Sequence, residues 1–177
     1  MEIRSIDPFL RYFSGIRERT QRVVQAIPEP RLEWAPAPGR FTLGDIVRHL
    51  ATTERWMFAE NVAGRPSRYP GYGRELADGY DAVLDYFERL HAQAMAIFAN
   101  LSDADLARHC TTPAGTSIMT WKWLRAMVEH EVHHRGQLYL MLGMLEVPTP
   151  PLYGLSEPEV RARSLPPPEP GPRAGGA

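Results

Sequence analysis

Two histidines one helical turn apart are the residues of this chain best suited to chemistry. His130 and His134 lie in residues 121–145, where apolar residues recur at helical spacing. Side chains four residues apart stack on one helix face, so the two imidazoles can bind one cation together. His133 points about 100° away, among polar residues. The simpler alternative is a pair of core histidines satisfied by hydrogen bonds.

A third imidazole comes from an earlier helical segment. His49 lies at the edge of the apolar face predicted for residues 43–62. Alone it is typical of a surface or core-edge histidine, but beside His130 and His134 it is the natural third ligand. Three neutral imidazoles leave a divalent ion with an open position, which is typical of a catalytic site. Such a ligand set suits zinc, nickel, iron or copper, of which zinc, nickel and iron are the ions we expect.

Three further side chains are candidates for orienting a ligand or relaying a proton. Glu131 and Gln137 flank the histidine face on opposite sides, and His91 lies near the apolar face of the preceding long helix. For Glu131 and Gln137 the alternative is a solvated or interface residue. For His91 it is a core histidine held by hydrogen bonds.

Two patterns point to other enzymes and carry less weight. Residues 130–134 match H-E-x-x-H, the metalloprotease pattern in which Glu131 would be the general base. No histidine follows His134 to complete a zincin site, and no strand is predicted to align a peptide. His109 and Cys110 are adjacent in a predicted loop, which is weak evidence for a nucleophile.

The predicted elements are four long amphipathic helices without a sheet. They cover about residues 8–27, 43–62, 75–99 and 121–145, and a short extra helix at about 103–107 precedes the fourth. Asp7 is the predicted N-cap of the first helix. The fold class is therefore all-α, a four-helix bundle within a single domain of residues 1–164. Residues 165–177, rich in proline and glycine, form a predicted disordered tail.

Composition restricts the partners. The formal net charge of −1 gives no basic surface for nucleic acid. No run of about 18 apolar residues occurs, so we expect no membrane span. The first residues do not have the pattern of a signal peptide. The single cysteine, Cys110, excludes an internal disulfide and favours the reducing cytoplasm.

Four segments of the chain resemble a known family. They are WAPAPG (34–39), TLGDIVRHL (42–50), LSDADL (101–106) and HEVHHRGQ (130–137). Over residues 9–145 the chain resembles the DinB/YfiT-like superfamily of metal-binding four-helix bundles. The resemblance implies an up-down-down-up bundle, often a homodimer. It also implies one divalent ion bound by His49, His130 and His134.

The resemblance also implies classes of activity. Relatives include mycothiol-dependent maleylpyruvate isomerase and bacillithiol or mycothiol S-transferases. The leading hypothesis is a metal-dependent thiol S-transferase that joins a low-molecular-weight thiol to an electrophile in detoxification or stress response. One alternative is a metal-dependent hydrolase. Another is a non-catalytic, stress-induced dimeric bundle that binds metal.

Overall fold

The computed structural model describes residues 2–164, and the predicted tail at 165–177 lies outside them. The long helices are α1 (Ile6–Gln25), α2 (Leu43–Thr53), α4 (Tyr80–Phe98) and α6 (Thr120–Met144). A π-helical turn (Glu54–Phe58) joins α2 to α3 (Ala59–Val62), so these three form the second long helix. Short helices are a 3₁₀ turn (Glu29–Arg31), α5 (Asp103–Leu106) and α7 (Glu157–Arg163).

Helices α1 and α4 are antiparallel neighbours. Phe9, near the start of α1, packs on Phe98 at the end of α4, with ring centroids 6.5 Å apart. At the other end, the Gln21 side chain donates a 2.6 Å hydrogen bond to the Glu88 carboxylate. The two helices therefore run in opposite directions along the bundle.

The second long helix is antiparallel to α6. The rings of His49 and His134 lie 4.7 Å apart between centroids, and those of Phe58 and His130 lie 5.8 Å apart. The later residue on the second long helix, Phe58, therefore contacts the earlier of the two histidines on α6. This crossing brings the three histidines of the predicted site to one level of the bundle.

The same helix is parallel to α4. Arg48 donates a 2.8 Å hydrogen bond to the Ala77 carbonyl, just before α4 begins. Further along both helices, Glu54 hydrogen-bonds His91, also at 2.8 Å. Taken with the two antiparallel pairs, these contacts give an up-down-down-up bundle. The all-α four-helix bundle predicted from the sequence is confirmed.

The apolar core has two clusters with charged residues between them. The Arg17 guanidinium lies 4.2 Å from the ring centroid of Phe87, in one cluster, and 5.9 Å from that of Phe13, in the other. Glu54, His91 and Glu131 share this level. The polar layer and the three histidines therefore belong to the same section of the bundle.

The sequence prediction missed a small hairpin. Strands β1 (His109–Thr111) and β2 (Ser117–Met119) pair antiparallel where a loop was expected. Its turn is closed by the Thr112 amide bonding the Thr116 carbonyl at 2.9 Å, and Gly115 there has φ +79°. Three-residue strands are too short for an alternating pattern to be recognised.

Two helix starts also differ from prediction. Helix α4 begins at Tyr80, not near residue 75, because Gly79 has the left-handed φ of +88°. Helix α1 begins at Ile6 with Ser5 at the N-cap, so the Asp7 cap was wrong. Asp103 accepts hydrogen bonds from the Ile6 amide (2.7 Å) and the Ser5 hydroxyl (2.8 Å). The cap comes from a distant segment and has no local pattern.

Within residues 2–164, no helix has the length and apolar character to cross a bilayer. Helix α2 does begin as predicted, with a capping box between Thr42 and Asp45. This start fixes the position of His49 two turns further along.

Candidate metal centre

The three predicted histidines meet in one cluster. One ring nitrogen from each of His49, His130 and His134 lies within 4.8 Å of the other two. The Nε2 atoms of His49 and His130 are 3.1 Å apart. Helical spacing on α6 and the antiparallel crossing of the second long helix produce this convergence.

Hydrogen bonds on the outer ring nitrogens orient two of the imidazoles. His49 Nδ1 lies 2.8 Å from the Tyr69 hydroxyl, and His134 Nδ1 lies 2.7 Å from the Gln137 side-chain oxygen. Because an amide oxygen only accepts, His134 Nδ1 carries the proton. Its Nε2 is then free to donate a lone pair, which is the usual arrangement around metal-binding histidines.

Burial keeps the cluster uncharged. It lowers the pKa of His49 to about 4 and that of His130 to about 3, and the neighbouring histidines add to the effect. Burial also lowers the pKa of His134, while the bond to Gln137 acts in the opposite direction. At neutral pH these are neutral imidazoles, the form that binds metal ions. The donor set therefore fits one divalent ion with an open position.

Aromatic side chains surround the cluster. The ring centroid of Phe41 lies 5.6 Å from that of His49 and 6.5 Å from that of His134. Tyr72 packs on Phe41 at 4.4 Å and on His49 at 6.3 Å. Phe41 and Gln137 also line an open groove of about 560 Å³ that continues along α6. Its other walls include Arg40, Ile46, Leu140, Met141 and Met144. The groove thus reaches the histidine cluster through two of its neighbours, Phe41 and Gln137.

Of the other predicted site residues, one lies at the histidine cluster and two lie in the buried charged layer. Gln137 lies at the cluster, where it bonds His134 and also contacts His133 Nε2 at 3.2 Å. Glu131 is 2 % exposed and pairs with Arg17 in the core, so it is not the solvated residue that was the alternative. His91 bonds Glu54 and packs on Phe13. The expected core role of a hydrogen-bonded histidine describes His91 well.

Sequence reasoning missed the aromatic residues of the site. Phe41, Tyr69 and Tyr72 lie in connections outside the helices, where no periodicity marks a direction. The one available signal was the density of tyrosine in residues 64–73. Cys110 contributes nothing here: burial raises the pKa of its thiol, which opposes the nucleophile hypothesis.

Comparison with known proteins identifies the family. The family model described as the DinB superfamily matches residues 12–138, most of the chain. This chain belongs to the DinB superfamily. A curated relative, YjoA of Bacillus subtilis strain 168, is 22% identical over 143 residues, which cover 77% of this chain and 90% of YjoA.

Solved DinB-like structures share the fold. A DinB-like protein of Bacillus cereus ATCC 10987 has a TM-score of 0.72 at 20% identity, covering 85% of this chain and 99% of that one. YjoA of B. subtilis has a TM-score of 0.66 at 18% identity, covering 82% and 96%. The mycothiol-dependent maleylpyruvate isomerase has a TM-score of 0.58 at 14% identity, covering 75% and 60%.

The hydrogen bonds to the outer ring nitrogens give a testable expectation. Tyr69→Phe and Gln137→Ala should each weaken Zn²⁺ binding about 10–100-fold, because each imidazole loses the partner that holds its orientation. Competition with a chromophoric chelator measures the affinity. Tyr72→Phe is the matched control, since Tyr72 contacts His49 through its ring. Equal affinities in all four proteins would mean that these bonds do not support the site.

Proposed function

We propose that this DinB superfamily member binds one divalent ion, zinc, nickel or iron, through His49, His130 and His134. With it, the protein transfers a low-molecular-weight thiol to an electrophile in the cytoplasm, in detoxification or stress response. The observation that carries the proposal is the convergence of three neutral imidazoles within 4.8 Å. The structural likeness to a mycothiol-dependent isomerase is consistent with a thiol as one substrate.

Each part of the site has a role in this reaction. When bound, a divalent ion at three imidazoles lowers the pKa of a thiol that it coordinates. Tyr69 and Gln137 hold the imidazoles in place, and Phe41 and Tyr72 limit the access of water beside them. The groove along α6 accommodates the apolar part of the electrophile.

The reaction balances without a redox partner. The thiol loses its proton to solvent, and its sulfur forms a bond to an electrophilic carbon. The leaving group departs with the electron pair of the bond that breaks. Desolvation between the aromatic rings makes the thiolate a stronger nucleophile than it is in water.

The experiment is a conjugation assay with a halomethyl bimane, which becomes fluorescent when a thiol displaces its halide. The protein loaded with Zn²⁺ or Ni²⁺ is tested with cysteine, glutathione, mycothiol and bacillithiol. We expect at least one thiol to react faster than its uncatalysed rate, and the acceleration to disappear with a chelator. If an ion-loaded protein accelerates none of them, the transferase proposal fails.

Removal of the ion should lower thermal stability. A ligand at about 100 times its Kd stabilises the folded state by about 2.7 kcal/mol. For a chain of this size that corresponds to a Tm shift of roughly 5–11 °C. Scanning calorimetry with Zn²⁺, and again after excess chelator, measures the shift. His134→Ala should have the same Tm with Zn²⁺ as with chelator, because it no longer binds the ion. An unchanged wild-type Tm would contradict ion binding to the folded state.

A further inference from the structure

A buried arginine joins the two helices that carry the histidines. The side chains of Arg17, Glu54 and Glu131 are 5%, 3% and 3% exposed. Arg17 Nη2 lies 3.0 Å from Glu131 Oε2 and also contacts the Glu54 carboxylate. His91 hydrogen-bonds Glu54 from α4, the third long helix, so each long helix contributes one residue to this group.

The guanidinium is held from both apolar clusters. It lies over the Phe87 ring at 4.2 Å and near the Phe13 ring at 5.9 Å. Burial lowers the pKa of Arg17, and the Glu131 carboxylate acts in the opposite direction. One guanidinium nitrogen, Nη2, contacts both carboxylates, and the Phe87 ring limits how the planar group can turn.

Each carboxylate lies on the same long helix as a histidine of the cluster, within five residues of it. Glu131 directly follows His130 on α6, and Glu54 lies five residues after His49 at the start of the π-helical turn. Contact with one guanidinium fixes how far apart the two helices lie and how each is rotated at this level. The separation of His49 from His130 depends on the same two quantities.

Stability alone does not explain such a group. A buried ion pair replaced by well-packed apolar residues is often as stable or more stable, because burial of charge costs free energy. An apolar layer would complete a core that is already apolar above and below. What apolar side chains would lack is a directional link between the two ligand-bearing helices.

We propose that Arg17 is a positioning residue for the three-histidine cluster. By contacting Glu54 and Glu131 together, it holds His49 opposite His130 and His134 at the spacing that one ion requires. The inference rests on the proposed ion binding but not on the proposed reaction.

The test compares ion binding in two variants of the full chain. Arg17→Met removes the link, and the triple variant Arg17→Met, Glu54→Met, Glu131→Leu replaces the arginine and both carboxylates with apolar side chains. The triple variant decides the matter if Arg17→Met alone leaves two buried carboxylates and does not fold. Zn²⁺ affinity is measured by chelator competition, and coordination by the visible absorption of bound Co²⁺.

We expect the folded variants to bind Zn²⁺ at least about tenfold more weakly than wild type, with an altered Co²⁺ spectrum. Phe98→Leu, a buried change in the apolar cluster that contains Phe13, is the control for lost stability. It should keep both wild-type values.

Two results overturn different claims. If the folded triple variant keeps wild-type affinity and spectrum, Arg17 does not position the ligands. If wild type binds neither Zn²⁺ nor Co²⁺, the proposed function fails at its first step, and the positioning role fails with it.

Discussion

His134→Ala is expected to lower the affinity for Zn²⁺ by more than about 100-fold, beyond the effect of losing a supporting partner. His134 is 7% exposed and its outer nitrogen is bonded to Gln137, so its other nitrogen faces the cluster with a fixed direction. Among residues 2–164, no other imidazole occupies this position, since His133 lies on the exposed side of α6. Metal per chain, measured by elemental mass spectrometry after dialysis at limiting free Zn²⁺, gives the result.

The matched control is His133→Ala. This substitution removes the adjacent imidazole from the same helix turn, together with its contact to Gln137. It leaves the three imidazoles of the cluster in place. It should retain near-stoichiometric ion, with at most a modest loss of affinity. Equal metal content in wild type and His134→Ala would mean that the three histidines do not bind the ion and are polar residues of the core.

The second large effect is on folding. Glu54→Ala should lower the free energy of unfolding by about 3–5 kcal/mol, because Arg17 and His91 both lose a buried partner. That corresponds to a Tm lower by roughly 6–20 °C. Urea denaturation of the ion-free protein measures the change without a contribution from ligand binding.

Asp85→Ala is the control for removal of an ion pair. Asp85 pairs with Arg89 one helical turn away, and its side chain is 74% exposed. Such pairs contribute little, so we expect stability within about 0.5 kcal/mol of wild type. If Glu54→Ala and Asp85→Ala cost the same, the buried charged layer is not a determinant of stability.

The histidine cluster was predictable because it depends on periodicity. His130 and His134 share one face of a long helix, and His49 lies at the edge of another apolar face. The antiparallel crossing that joins them came from the resemblance and not from the pattern. The structure brings these three residues together as the sequence reasoning required.

Glu131 illustrates what helical spacing cannot decide. Helical spacing puts Glu131 to one side of the histidine face, but which element covers that side depends on the packing of α1. The ion pair with Arg17 joins residues far apart in the chain and leaves no local pattern. The same holds for Asp103, which caps α1 from another segment.

Tyr69 and the hairpin show a different limit. Tyr69 reaches His49 from an irregular connection, where side-chain direction depends on each backbone angle and not on a repeat. The strands at 109–111 and 117–119 are set by their turn, not by alternation. Candidate site residues outside the helices therefore required the three-dimensional structure.

The central claim is that one ion binds to His49, His130 and His134 together. X-ray absorption spectroscopy at the zinc edge, on stoichiometrically loaded protein in a buffer without thiols, tests this most directly. The account predicts three imidazole nitrogens at about 2.0–2.1 Å. His49→Ala should reduce the imidazole count by one. A spectrum with two or fewer imidazoles in wild type, or with sulfur from Cys110 as a ligand, would contradict it.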